Sequence, residues 1–184
     1  MASSDQGLKA VFFDLGDTLM IEESEVKDES ETTLRADLLP GAADLVRELH
    51  AAGVPLALVA DSRPNTPPNV LRRHDLLGCF GYMAISEVVG ATKPDPRIFQ
   101  VALDALGIQP EERHRVAMVG NHLERDIAGA NRLGLVSILL HWNERRRTTP
   151  ETPDERPDHT VHTIADLRKL LLRSLDTSYE VTQP

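Results

Sequence analysis

Short, nearly continuous apolar runs alternate along the chain with stretches in which apolar residues return every three or four positions. The runs are residues 9–14 (KAVFFD), 55–60 (PLALVA), 82–86 (YMAIS), 115–120 (RVAMVG) and 135–140 (LVSILL). Their lack of polar alternation predicts strands covered on both faces, hence parallel pairing. Between them the spacing predicts helices. One covers 41–52, with Leu45, Val46 and Leu49 on a common face and Gly53 at its end, and a second covers 66–77. A third covers 95–106, opened by Asp95 as N-cap and Pro96 in the first turn, with Ile98, Phe99, Ala102, Leu103 and Leu106 inward. Leu123, Ile127 and Ala130 stripe a fourth ahead of Gly134. Thr163 caps a last one, with Ile164, Leu167, Leu171 and Leu175 inward. Parallel strands need crossovers, so this alternation predicts a three-layer, doubly wound α/β sheet.

Three segments break the rhythm. Residues 19–39 carry seven acidic residues from Glu22 to Asp37 and few apolar ones, which predicts an exposed excursion after the first strand. Residues 141–160 (HWNERRRTTPETPDERPDHT) are rich in proline and arginine and read as a surface loop. From Thr177 onward the composition reads as a disordered tail. At 184 residues and 41% hydrophobic content the chain can bury one sizeable core, so residues 1–176 are expected to form a single domain. A net charge of −9 argues against wholesale binding of nucleic acid or anionic membranes, while leaving room for a local cationic pocket. Neither a signal-peptide core nor a membrane-length apolar run is visible, which reads as cytoplasmic. Cys79 is the only cysteine, which excludes a disulfide framework or thiolate cluster and predicts a small buried hydrophobe.

The carboxyl ends of the predicted strands collect the unusual residues, and ligands bind at that edge in open parallel sheets. Asp14 ends the first run, Asp61 and Ser62 follow the second, Lys93 follows the third, and Asn121 follows the fourth with Asp126 five positions on. Two carboxylates converging on one edge repel unless a cation lies between them, and oxygen ligands with spare water positions suit magnesium. Pro94 keeps Lys93 extended, so that its ammonium is offered from a stiff loop.

The set FFDLGDTL, LALVADS, TKPDPRIF and VAMVGNHLERDIAGANRLG resembles the four motifs of the haloacid dehalogenase-like superfamily, in order, across residues 8 to about 140. The resemblance implies a Rossmann-like domain in which an aspartate attacks phosphorus to give an aspartyl-phosphate that water then hydrolyses. Asp14 matches the nucleophile and Lys93 the motif lysine. Asp14 and Asp126 match ligands of Mg2+, and Gly16 stands where the family uses a backbone carbonyl on the metal. The amides around Asp61 and Ser62 match the phosphoryl cradle. A phosphorylated small molecule is the substrate class this implies.

Three positions depart from that pattern. The family's general acid and base lies two residues after the nucleophile, where this chain has Gly16, with Asp17 one step later; either Asp17 swings toward the leaving group or it is a turn residue. Ala60 stands where a serine or threonine binds the phosphoryl group; Ser62 either substitutes for it or caps the following helix. Asn121 replaces the first aspartate of the last motif and offers a neutral oxygen to the metal. These losses keep a second reading open, a weakly active or inactive domain that binds a phosphorylated ligand or a protein partner. Carbon–halogen cleavage is a more distant one. A signalling receiver domain is set aside because the third run ends in ISEVVG, with Glu87 as its first acid.

The LPGAADLVRELHAAG helix begins so soon after Asp17 that a helical cap domain has no room. Residues 19–39 are therefore expected to form a short flap beside an open site, of the kind that accepts large substrates or borrows a lid from a second subunit. Its acidity disfavours polyanions. Arg145, Arg146 and Arg147 read as a solvated loop, with one of them reaching a second anionic group of a substrate as the sharper alternative. HTVH at 159–162 reads as surface.

Overall fold

In the computed structural model, which describes residues 7–176, the apolar runs become strands within one or two residues of the expected bounds. The strands are β1 (Ala10–Phe13), β2 (Val26–Lys27), β3 (Thr33–Arg35), β4 (Leu56–Ala60), β5 (Tyr82–Ile85), β6 (Val116–Gly120), β7 (Val136–Leu140) and β8 (His159–Val161). The helices are α1 (Ala42–Ala51), α2 (Thr66–Arg73), α3 (Ser86–Val89), α4 (Pro96–Ala105), α5 (Ala128–Leu133) and α6 (Ile164–Asp176). Six strands pair in the order β5-β4-β1-β6-β7-β8, all parallel. β1 is central, with Phe12 opposite Ala57 on one side and Met118 on the other.

Alternate residues of each strand feed two cores. Val11, Phe13, Leu56, Leu58 and Val119 meet α1, α2 and α6 through Leu45, Leu49, Val70, Leu71, Leu167 and Leu171. Ala10, Phe12, Ala57, Val59 and Met118 meet α4 and α5 through Ile98, Phe99, Ala102, Leu103 and Ala130. The near-continuous apolarity of the strands is thus the signature of a sheet covered twice. Asp95 caps α4 by accepting the Arg97 amide at 2.9 Å, and Thr163 accepts the Asp166 amide at 3.0 Å ahead of α6.

Three expectations are corrected. Helix α2 ends four residues early, because Asp75 turns left-handed (φ 56°) and the Leu76 amide closes back onto the Leu71 carbonyl at 2.9 Å with Leu76 buried. Residues 159–161 leave the surface loop to form edge strand β8; only Val161 faces inward, so three residues left no periodic signal. Cys79 is half-buried at the margin of the core, packed but not enclosed. The tail expected from Thr177 lies outside the described residues.

Between β1 and α1 the chain makes a short 3-10 turn at Glu22–Ser24 and the antiparallel hairpin β2-β3, with no cap helix. Asp28 folds the hairpin tip by accepting the amides of Ser30 and Thr32 at 2.8 and 3.0 Å. Thr33 docks on α2 through its amide to Thr66 Oγ1 at 3.0 Å, and its carbonyl accepts from Asn69 at 3.0 Å. Among the described residues, no helix is long and apolar enough to cross a membrane.

Candidate active site

The strand order reverses direction around β1, and the carboxyl ends of β1, β4 and β6 therefore open a crevice between them. Asp14 leaves β1 into this crevice, held by its amide on the Val119 carbonyl at 2.9 Å. Lys93 reaches it from the loop after α3. Its Nζ donates to Asp14 Oδ1 at 2.6 Å, to Asp126 Oδ1 at 2.7 Å and to the Val59 carbonyl at 2.9 Å, which uses all three ammonium protons. Burial opposes the charge on Lys93, but the carboxylates of Asp126 and Asp14, with Asp61 beyond them, outweigh it and hold its pKa above the ordinary lysine value. Burial pushes the Asp14 carboxyl up; Lys93 opposes that shift and Asp126 reinforces it.

Asp126 sits in a π-helical turn, Leu123–Ile127, that leads into α5. Its Oδ2 accepts the amides of Asn121 and His122 at 3.1 and 3.0 Å, which leaves Oδ1 for Lys93. Gly120 makes this possible, since a Cβ there would lie 2.2 Å from the Asp126 carboxyl carbon. Beside them Asn121 is buried, and neither its Oδ1 nor its Nδ2 finds a partner. A buried amide left open next to two carboxylates is a position that a hydrated cation would satisfy. Among the described residues no three His, Cys, Asp or Glu side chains gather to hold a metal, so any ion here would draw on neutral oxygens and water as well.

A cleft of about 590 Å³ lies above this group, lined by Asp14, Gly16, Ala60, Asp61, Ser62, Lys93, His122, Arg125 and Arg146 and by Glu22, Glu25, Lys27 and Thr33 of the flap. Asp61 fixes the lysine loop, accepting the Lys93 amide at 2.9 Å. Ser62 does not cap α2, whose N-cap is Asn65; its hydroxyl rests on the Arg63 carbonyl at 3.3 Å and its amide donates to Ser86 Oγ at 3.0 Å. Ser86 was invisible as a site residue because its place depends on how β5 ends.

Of the two readings of Asp17, the structure has the turn residue and not the swing toward a leaving group. It is fully buried in a left-handed turn (φ 47°) and does not line the cleft. Its Oδ1 accepts the Glu22 amide at 3.0 Å, its Oδ2 pairs with Arg145 at 3.2 Å, and its carbonyl accepts the Trp142 indole at 2.8 Å. The arginine run, read as solvated or substrate-reaching, is instead spent on carboxylates of the protein. Arg145 and Arg146 both donate to Glu22 Oε2, at 3.1 and 2.9 Å, and Arg147 pairs with Glu155 at 2.8 Å. Glu22 thus becomes a site residue the sequence did not reveal. Burial and the neighbouring Asp17 push its carboxyl up, against the pull of Arg146 and Arg145.

A central strand that ends in Asp14, a lysine clamped between two carboxylates and an open cleft at the switch point form one group at the carboxyl edge of the sheet. The family model described as haloacid dehalogenase-like hydrolase matches residues 25–134, more than half of the chain, and the chain belongs to that family. It is 36% identical over 143 residues to a phosphoserine phosphatase of Thermus thermophilus, covering 75% of this chain and 51% of that protein. It is 31% identical over 122 residues to a glyceraldehyde 3-phosphate phosphatase of Methanopyrus kandleri, covering 66% and 51%. The chain spans about half the length of these curated relatives. The fold is shared with a HAD phosphatase from Thermococcus onnurineus, at a TM-score of 0.72 and 19% identity over 89% of this chain and 98% of that one.

Proposed function

We propose that the chain is a magnesium-dependent phosphomonoesterase that acts on a phosphorylated small molecule through an aspartyl-phosphate on Asp14. The observation that carries this reading is the Asp14–Lys93–Asp126 group at the floor of an open cleft. Magnesium would be held by Asp14, Asp126, the Gly16 carbonyl and the orphaned Asn121 amide oxygen, and would supply electrostatic stabilisation to the transferring phosphoryl group. Asp14 attacks phosphorus. Lys93, charged and anchored on the Val59 carbonyl, screens the nucleophile from the incoming dianion and faces the charge that develops on the phosphoryl oxygens. The loop that carries Asp61 and Ser62 at the end of β4 faces those oxygens, with Ala60 leaving room for them, while the Ser62 amide itself is held by Ser86 Oγ. Asp61 contributes by holding the lysine loop in register. Curated relatives named as phosphatases support the substrate class.

The test is release of inorganic phosphate from a panel of phosphomonoesters, with magnesium and with a chelator, by the native chain and by Asp14→Asn. Turnover that needs magnesium and falls by about 10⁴-fold or more in Asp14→Asn is the expected result. Turnover that survives Asp14→Asn would remove Asp14 as nucleophile. Binding of phosphate esters without any turnover would instead establish the second reading, a non-catalytic ligand-binding domain, which the burial of Asp17 away from the cleft favours.

A further inference from the structure

Arg125 is the least engaged cation of the cleft. Arg146 is taken by Glu22 at 2.9 Å, Arg63 by Glu87 at 3.1 Å, and Lys93 has given all three of its protons. Lys27 stands between Glu25 and Glu31 at 3.4 and 3.9 Å. Arg125 makes no hydrogen bond among the described residues. Its nearest carboxylate oxygen, Asp61 Oδ2, lies 3.8 Å from Nη1, beyond hydrogen-bonding reach, so its five N–H donors stay open beside the cleft that it lines. We infer that Arg125 takes a carboxylate carried by the substrate, so that the cleft selects phosphate esters of small hydroxy acids. The inference rests on the phosphomonoesterase reading, which places the phosphoryl end of the substrate over Asp14.

The guanidinium is held in place without being neutralised by a close pair. Arg125 stands one residue before Asp126 in the π-helical turn Leu123–Ile127, where the Ile127 amide reaches back to the His122 carbonyl at 3.2 Å. Such turns widen a helix locally and recur at functional sites. Asp126 is locked by two amides and the Lys93 ammonium, so the backbone of Arg125 is fixed with it. Asp61 attracts the arginine from across the crevice, while its Oδ1 stays on the Lys93 amide at 2.9 Å. Arg125 and the lysine loop therefore stand on two sides of one carboxylate, and a second anion bound by Arg125 lies close to the phosphoryl position. That closeness calls for a short ligand.

The rim decides between the anions that a guanidinium accepts. Glu22, Glu25, Glu31 and Glu87 all line the same cleft, so a second phosphate dianion would meet repulsion that a single negative charge meets less. A planar carboxylate also matches the two parallel donors of the guanidinium fork. The arginine for a second anionic group thus comes from the turn after β6.

The experiment uses 3-phosphoglycerate and glycerol 3-phosphate, which differ in a carboxylate against a hydroxymethyl group, with the bisphosphate of propane-1,3-diol as a third ester. With magnesium present, kcat/KM of the native chain should favour 3-phosphoglycerate over glycerol 3-phosphate by about tenfold or more. In Arg125→Gln that ratio should fall by about tenfold or more, chiefly through KM for the acid. Arg63→Gln, whose arginine is already held by Glu87, should move the ratio by less than about threefold. Calorimetric binding of the same esters to Asp14→Asn, with and without Arg125→Gln, reads the contact apart from turnover. A native ratio near one, equal losses on the two esters in Arg125→Gln, or an equal shift in Arg63→Gln would each overturn the assignment while leaving the phosphomonoesterase reading in place. A native preference for the bisphosphate that Arg125→Gln abolishes would overturn the carboxylate class. Absence of Asp14-dependent turnover would overturn the phosphomonoesterase reading, and binding would then decide Arg125 by itself: tighter binding of the acid that depends on Arg125 upholds the contact, and equal binding of the two monoesters overturns it as well.

Discussion

Gly120→Ala should damage the site and the fold together, because the residue is the floor on which Asp126 rests. The added methyl would lie 2.2 Å from Asp126 Cγ and 2.3 Å from Oδ2, against an ordinary contact range of 3.4–4 Å, so the carboxylate must retreat by about 1 Å. That retreat strains its bonds to the Asn121 and His122 amides and to Lys93. Overpacking costs about 1–3 kcal/mol, and hydrogen bonds to a charged group are worth about 1.5–3 kcal/mol each. A net loss of about 3 kcal/mol is a fair centre, equivalent to a melting temperature lower by about 6–12 °C in a chain of this size. Misplacement on that scale also costs about 10²-fold in turnover. Thermal unfolding and phosphate release, measured on Gly120→Ala beside Gly78→Ala, give the answer, since a methyl at Gly78 meets nothing within 4 Å. If Gly120→Ala melts and turns over like the Gly78 control, Asp126 is not held as described and the geometric reasoning fails.

Two further outcomes are expected. The Arg147 hydrogen bond, with the Glu151 amide, lowers the Glu155 pKa from 4.5 to about 2. A depressed carboxylate pKa contributes stability that is fully present above the unfolded value near 4.5 and is lost as pH falls toward 2, so denaturation midpoints of Glu155→Gln should trail the native protein at neutral pH and converge with it across that window. Parallel curves for the two proteins would count against the pairing. Gly129→Ala in α5 would press a methyl to 2.3 Å from Phe99 Cε2 and should cost about 1–3 kcal/mol in chemical denaturation, partly restored by Phe99→Leu; native-like stability of the single variant would show that α4 and α5 are looser than the packing implies.

What the sequence made legible follows the range of the interactions involved. Strand β1 and its neighbours were readable because burial on both faces leaves a local apolar run; Asp14 was readable because it directly follows such a run, and Lys93 and Asp126 because they stand three and two residues ahead of the helices α4 and α5. Helix α4 announced itself through Asp95 and Pro96, which act within one turn. Glu22 was hidden among seven acidic residues, since only the return of the flap against Gly16 distinguishes it from Glu23 or Glu25. Asp17 was legible as a carboxylate but not as a buried one, because its partners Trp142 and Arg145 stand more than a hundred residues away. Strand β8 carries too few residues for any period.

The clasp between the flap and the loop after β7 has a consequence for how the protein is made. Trp142 reaches Asp17 across 125 residues, and Arg145 and Arg146 reach Glu22 across 123 and 124. Contacts of such sequence separation must pay for closing a long loop and form only once the intervening strands have docked. A ribosome releases the chain from its amino end, so Asp14 and Lys93 emerge well before the residues that fasten the flap. Asp14 and Lys93 are thus available to a partly synthesised chain, whereas the wall that carries Glu22 is fixed only when residue 146 is free to fold. Completion of the cleft is a late event in the life of the molecule, timed by the far half of its own sequence.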